Sequence, residues 1–206
     1  PMIDVVAPAK NVGVIKTLTG FKYIGEKIRQ FESKEIDGTY ILGFEESYGY
    51  LIGTHARDKD AIVSSLLIAE MAAFYNSKGT SIYKELQKLY QEFGYYLEGI
   101  KSVTLTGKDG IEKMANLMTE LRETVKDRTI DKNIKIKRDF KTKKELIVAT
   151  GEEKDILLPV ENVIQFVLED DTYITARPSG TEPKIKFYFS VNASTKEEVE
   201  KKLGKK

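Results

Sequence analysis

The octet Arg177-Pro178-Ser179-Gly180-Thr181-Glu182-Pro183-Lys184 concentrates a guanidinium, two short hydroxyls and a glycine in one short stretch. A tetrahedral dianion is bound by converging N–H donors, hydroxyls and a bidentate cation, and this stretch offers all three. Arg177 supplies the fork and Ser179 and Thr181 the hydroxyls; their amides and that of Gly180 can form a nest, and Pro178 stiffens the approach. A hairpin turn can also contain Pro-Ser-Gly, so the residue types leave a plain turn open beside a phosphate cup. A second stretch, Gly43-Phe44-Glu45-Glu46-Ser47-Tyr48-Gly49-Tyr50, places two adjacent acids among glycines and aromatics. In extended backbone Glu45 and Glu46 point to opposite sides, which argues against a paired-carboxylate glycosidase site built from them. One carboxylate with a nearby hydroxyl suits sugar binding: Glu45 can accept from two vicinal hydroxyls while Ser47 supplies a third hydrogen bond. Gly43, Gly49 and Gly53 permit close approach of backbone to ligand, and a turn with solvated acids is the alternative. His55-Ala56-Arg57-Asp58-Lys59-Asp60 follows, with the chain's one histidine. His55 is a usable acid or base, or a structural or exposed residue, and Arg57 and Lys59 can pair with Asp58 and Asp60 in a surface network.

These groups need a folded frame, and the composition provides for one. The chain has 206 residues, 33 Lys and Arg against 32 Asp and Glu, a formal net charge of +1, 41% apolar residues and no cysteine. A disulfide framework is excluded, and the near-neutral charge gives no sequence-wide reason to bind nucleic acid or an anionic membrane. The first residues lack the basic and apolar regions of a signal peptide, and no window approaches the roughly 18 apolar residues of a membrane span, so a cytoplasmic protein is expected. Pro1 in front of Met2 is what a cut fragment would show.

Periodicity then places the motifs on elements. Val12–Leu18 reads as a strand, and Phe21, Ile24, Ile28 and Phe31 recur at helical spacing behind Thr19 as N-cap. Thr39–Phe44 reads as a second strand, and a helix from Ala61 to Tyr75, apolar on most sides, is capped by Asp60. Strand, helix, strand, helix implies a parallel pair whose following loops, Thr19–Lys22 and Gly43–Tyr50, face one crevice. Ser81 caps a helix with an Ile82, Leu86, Leu89, Tyr90 and Phe93 stripe that ends at Gly94. The second half reads as β-α-β-β-β-α, with strands near 100–106, 134–137, 163–169 with 172–177, and 184–191. Its first helix turns Ile111, Ala115, Met118, Leu121 and Val125 inwards, and its last opens at Ser194-Thr195-Lys196-Glu197. Residues 139–160 read as a polar insertion loop. Residues 132–144, with seven Lys or Arg against one Asp, read as a lysine-guarded strand edge rather than a nucleic-acid site.

Taken together and in this order, Thr-Gly-Phe-Lys, Gly-Phe-Glu-Glu-Ser-Tyr-Gly-Tyr with His-Ala-Arg-Asp-Lys-Asp, and Arg-Pro-Ser-Gly-Thr-Glu-Pro-Lys resemble the motifs of the α-D-phosphohexomutase family, in its bacterial phosphoglucomutase/phosphomannomutase form. The resemblance spans roughly residues 12–203. It implies the C-terminal part of sugar-binding domain 3 over residues 1–96 and phosphate-binding domain 4 over 97–206. The implied fold is α/β, an incomplete mixed or parallel sheet with helices, followed by an α+β domain with helices on one face of an antiparallel sheet, similar to the TATA-box-binding protein. Glu45 and Ser47 then match the family's sugar-binding loop, and Arg177, Ser179, Gly180 and Thr181 its phosphate-binding loop. Lys22, His55, Arg57 and Lys59 match cleft positions.

The family's phosphorylated serine and the Asp-Gly-Asp loop that holds Mg²⁺ have no counterpart in this sequence. Both belong to the first two of four domains, so the missing N-terminal domains are implied partners and the magnesium site is implied to lie there. The expected parent activity is interconversion of hexose 1-phosphate and hexose 6-phosphate, of glucose or mannose, through a hexose 1,6-bisphosphate intermediate. This chain alone is expected to bind phosphosugar weakly and to be inactive. The alternative is a stand-alone, non-catalytic phosphosugar-binding or interaction module.

Overall fold

The computed structural model describes residues 2–45, 48–107, 109–127, 134–180 and 182–204, with backbone only for 124–127. Two compact units divide the chain: Gly13–Leu89, and Tyr90–Lys206 together with Pro1–Val12. A short helix not expected from the sequence, α1 (Ile3–Ala9), goes with the second unit.

In the first unit, α2 (Phe21–Glu32) buries Phe21, Ile24 and Ile28 of the predicted stripe, with Gly25 beside them, while the fourth expected member, Phe31, is only half-buried. Its N-cap is Gly20, not Thr19; the cap residue has φ +128°, a conformation open to glycine. The stripe packs on Leu51, with Tyr40 and Ala56 at the margin. Leu51 lies in the two-stranded antiparallel hairpin β1 (Leu42–Phe44) and β2 (Tyr50–Ile52), with Phe44 opposite Tyr50. The expected parallel pair is therefore absent among the described residues, and 12–18 is not a strand: a strand exists only through its ladder, and no described segment pairs with this run. Asp60 caps α3 (Ala61–Ser77) as expected, accepting from the amides of Ile62 and Val63. The helix carries apolar residues all round, and Ile62, Leu66, Ile68 and Phe74 are exposed. Ser81 Oγ accepts from Lys84 N at 3.2 Å at the start of α4 (Ile82–Phe93), and Gly94 follows with φ +90°.

In the second unit a seven-stranded antiparallel sheet runs in the order β3-β9-β8-β7-β4-β5-β6. Its strands are β3 (Tyr95–Thr104), β4 (Ile134–Asp139), β5 (Lys144–Ile147), β6 (Glu152–Asp155), β7 (Ile164–Leu168), β8 (Tyr173–Pro178) and β9 (Lys184–Ala193). Two helices, α5 (Gly110–Asp127) and α6 (Lys196–Leu203), complete it. Thr195 caps α6 by accepting from Glu198 N. Met118 and Leu121 of α5 pack on Ile134, Ile164, Phe166, Ala176 and Ile185, and a Cβ on Gly99 would stand 2.9 Å from Leu203 of α6. Gly99 lies opposite Phe189, in the same alternating series as Ile185, so both helices cover one face. The expected fold class holds: a small sheet with helices, then a larger antiparallel sheet with helices.

Three local expectations change. Residues 139–160 are not a loop but include β5 and β6, which extend the sheet by a hairpin. This makes β4 an internal strand, and its cations are partnered rather than guarding an edge. Lys135 pairs with Asp171 at 3.1 Å, Arg138 with Glu145 at 2.6 Å, and Lys144 of β5 with Asp155 at 2.8 Å. Helix α5 faces inward through Met114, Leu117, Met118 and Leu121 while Ile111 is exposed, so the apolar stripe is displaced around the axis from the expected one. The side chain of Val125 lies outside the described residues.

Candidate functional site

The turn between β1 and β2 is tied by Glu45 N donating to Gly49 O at 2.9 Å. Glu46 and Ser47 lie outside the described residues. Tyr48 adopts φ +64° and stands 90% exposed. Glu45, in contrast, tucks its side chain in, with 8% exposure, and Lys59 Nζ comes to 3.8 Å from its Oε2. A charge so shielded from water needs a counter-charge close by, which Lys59 supplies. Gly49 makes this possible, since a Cβ there would stand 3.1 Å from Glu45 Oε2, 3.0 Å from Lys59 Cδ and 3.5 Å from Phe21. Phe21 sits at the first turn of α2, and Lys59 Nζ lies 5.9 Å from its ring centre. The Gly20-Phe21 turn and the Gly43–Tyr50 turn therefore meet, as expected, although through a hairpin and not through a parallel pair. Gly43 is the second required glycine: a Cβ there would fall 2.5 Å from both Ile24 Cγ2 and the Tyr40 hydroxyl. Tyr40 donates to Leu51 O at 3.0 Å, and burial raises its pKa above the ordinary phenol value.

The four cleft candidates separate. Lys59 joins Glu45. Lys22 extends over the ring of its neighbour Tyr23, at 4.6 Å. His55 Nε2 lies 2.9 Å from Asp60 Oδ2. Arg57 does not pair with Asp58 or Asp60, as the surface-network reading had it. It donates to Thr54 O at 2.8 Å and Ala56 O at 3.0 Å, and meets Glu32 of α2 at 2.5 Å. The reason is reach: Gly25 lets α2 approach so closely that a Cβ there would stand 2.9 Å from Arg57 O.

In the second unit the octet joins β8 to β9. Ser179 N donates to Lys184 O at 2.7 Å and closes the hairpin, so this amide points into the turn and not into a nest. The hydroxyl of Ser179 accepts from Glu182 N at 3.3 Å. A Cβ on Gly180 would meet nothing within 4 Å, so its backbone is open to approach; Thr181 lies outside the described residues. Arg177 stands opposite Lys186, and both alternate away from the helix-facing Ala176 and Ile185. Two cations are thus neighbours on the face opposite the one that α5 and α6 cover. Among the described residues neither is joined to a carboxylate; the nearest acid in the turn, Glu182, lies 3.4 Å from Lys184 Nζ. Like charges directly opposite on adjacent strands destabilise a sheet, and an anion between them reverses the sign. Lys186 was not among the candidates read from the sequence. The signal was available: once the octet is a hairpin closed between Ser179 and Lys184, counting outwards puts Arg177 opposite Lys186.

Among the described residues no group of three or more His, Asp or Glu converges in a way that could hold a metal ion. The described residues therefore do not fit a Mg²⁺ site.

Residues 1–93 match the family described as phosphoglucomutase/phosphomannomutase, alpha/beta/alpha domain III. The phosphoglucomutase of Staphylococcus haemolyticus (strain JCSC1435) is 34% identical over 193 residues, covering 94% of this chain and 34% of the relative. That of Staphylococcus aureus (strain MSSA476) is 35% identical over 194 residues, again 94% of this chain and 34% of the relative. The chain thus spans roughly a third, 34%, of the length of these curated relatives. The crystal structure of the exocytosis-sensitive phosphoprotein pp63/parafusin, a phosphoglucomutase from Paramecium, in its open form, superposes with a TM-score of 0.63 at 20% identity. It covers 94% of this chain and 32% of that one, and supports the fold. Residues 1–93 thus match the phosphoglucomutase/phosphomannomutase domain III family, and 94% of the chain is similar to phosphoglucomutases.

Proposed function

We propose that the chain is the substrate-binding part of a phosphohexomutase that interconverts hexose 1-phosphate and hexose 6-phosphate through a bisphosphate. In this reading Glu45, with Ser47, holds sugar hydroxyls, and Arg177 with Ser179, Gly180, Thr181 and Lys186 holds the phosphate that is not reacting. The observation that carries it is the Arg177–Lys186 pair, two adjacent cations on the sheet face opposite α5 and α6, beside an open Gly180 backbone. A dianion neutralises both charges, and the guanidinium binds two of its oxygens at once. The shielded carboxylate of Glu45 supports the other half: it is already oriented by Lys59 and Gly49, so little ordering remains to be done when hydroxyls arrive.

Phosphoryl transfer needs a donor nucleophile and neutralisation of the transferring group. The chain is proposed to supply neither, and so to be inactive alone while retaining weak affinity. The relatives named phosphoglucomutases, and the motifs that resemble that family, favour a hexose phosphate as ligand.

The test is an amide-shift titration of the 206-residue chain. Inorganic phosphate should move the resonances of Gly180 and Lys186, while glucose 6-phosphate should in addition move those of Glu45 and Gly49. Charge-assisted hydrogen bonds are each worth about 1.5–3 kcal/mol, so Arg177→Ala should weaken phosphate binding by at least about tenfold. An Arg177→Ala chain that binds phosphate as well as the wild type would overturn the assignment.

A further inference from the structure

We propose that Asp60, through its pair with His55, is the positioning residue that holds Lys59 against Glu45. The proposal rests on the reading of Glu45 as the group that grips hexose hydroxyls and adds the device that aims it.

Every polar atom of Asp60 is committed. Oδ1 accepts from Ile62 N at 2.8 Å and Val63 N at 3.1 Å, which is all that capping α3 requires. The backbone amide donates to Tyr50 O at 2.8 Å, and the carbonyl accepts from Ser64 Oγ at 2.6 Å. The second carboxylate oxygen, which capping leaves over, meets the chain's one histidine at 2.9 Å across a five-residue loop.

The consequence lies at β2. Tyr50 O receives Asp60, and the preceding carbonyl, Gly49 O, receives Glu45 N. Glu45 and Asp60 are thus suspended from two successive carbonyls of one strand end, and Lys59 is the residue immediately before the anchored Asp60. Closing the loop from His55 to Asp60 leaves Lys59 little freedom, and its Nζ falls 3.8 Å from the Glu45 carboxylate.

The charged groups around the pair are few. Arg57, Asp58 and Lys59 come from the same loop, Glu45 from the β1–β2 turn, and Glu32 of α2 through Arg57. The hydrogen bond from His55, ahead of the helix amides, holds the Asp60 carboxyl below its usual range. A protonated imidazole strengthens the pair and a neutral one weakens it.

The experiment follows the nitrogen-15 spectrum of the 206-residue chain from pH 5 to pH 8, with the single histidine as an unambiguous reporter. The amides of Glu45, Gly49 and Lys59 are expected to move with the midpoint of the His55 ring. His55→Ala should abolish that movement, and His55→Gln, which can still donate to Asp60, should restore the acid-side positions without pH dependence. Asp60→Asn retains a capping oxygen but loses the ion pair, and should behave as His55→Ala does without loss of α3. A merely structural pair would leave the Glu45 and Lys59 amides in place while His55 titrates, and that result overturns the proposal. If the coupling is present but glucose 6-phosphate moves none of these amides, the positioning device stands and the sugar-loop reading falls.

Discussion

At the scale of single residues, two glycines bear most of the geometry of the sugar loop. Gly43→Ala would drive a methyl group into Ile24 and Tyr40, both 2.5 Å from the added atom. Overpacking of this kind costs about 1–3 kcal/mol, which urea unfolding of the first unit should report. Gly49→Ala is milder in fold and sharper in function. The added methyl meets the flexible ends of Lys59 and Glu45, so the two charged groups shift while the hairpin survives. The expected outcome is loss of the Glu45 response to glucose 6-phosphate with the phosphate response of Gly180 intact. Lys186→Ala should weaken phosphate binding less than Arg177→Ala does, because an ammonium is a point charge and a guanidinium a two-pronged donor.

At the scale of elements, the cap of α3 gives a pH prediction. The Asp60 carboxyl titrates below its ordinary value in the folded chain. A depressed folded pKa stabilises above the unfolded value of about 3.9, and the stabilisation is lost as pH falls through the folded value. Asp60→Asn should therefore melt below the wild type at neutral pH, with the two curves converging in acid. Helix α5 offers a check of packing. Met118 is 1% exposed against four strands, so Met118→Ala should cost about 2–5 kcal/mol, whereas Ile111→Ala, on the solvent side, should change little. Much of this scale was legible beforehand. Asp60 and Ser81 were readable as caps because capping is settled within four residues of sequence, while the box read as opening at Ser194 sits one residue later, with Thr195 capping through Glu198 N. The rotation of the α5 stripe was not, since Met114 and Ile111 are equally apolar, and only the sheet beneath decides which of them it receives.

At the scale of the molecule, α3 is the anomaly. A helix apolar all round belongs in an interior, yet Ile62 is 84% exposed and Leu66 58%. The chain should bind a hydrophobic dye, and Leu66→Glu should reduce that binding without lowering the melting temperature, because the side chain leaves no cavity behind.

Sequence alone determined the order of the three motifs, the family they resemble, the caps of α3 and α4 and the alternation of the second half, since all of these are written in neighbouring residues. Residues 12–18 show the limit. Their apolar pattern suits a strand, but a strand requires a partner, and the pattern cannot say whether one is in place. The hairpin of β5 and β6 was hidden for the opposite reason: its residues are polar, and pairing to β4 makes them strands regardless. Only tertiary structure placed Lys186 beside Arg177 and Lys59 beside Glu45, because register and loop closure bring together charges that composition merely counts.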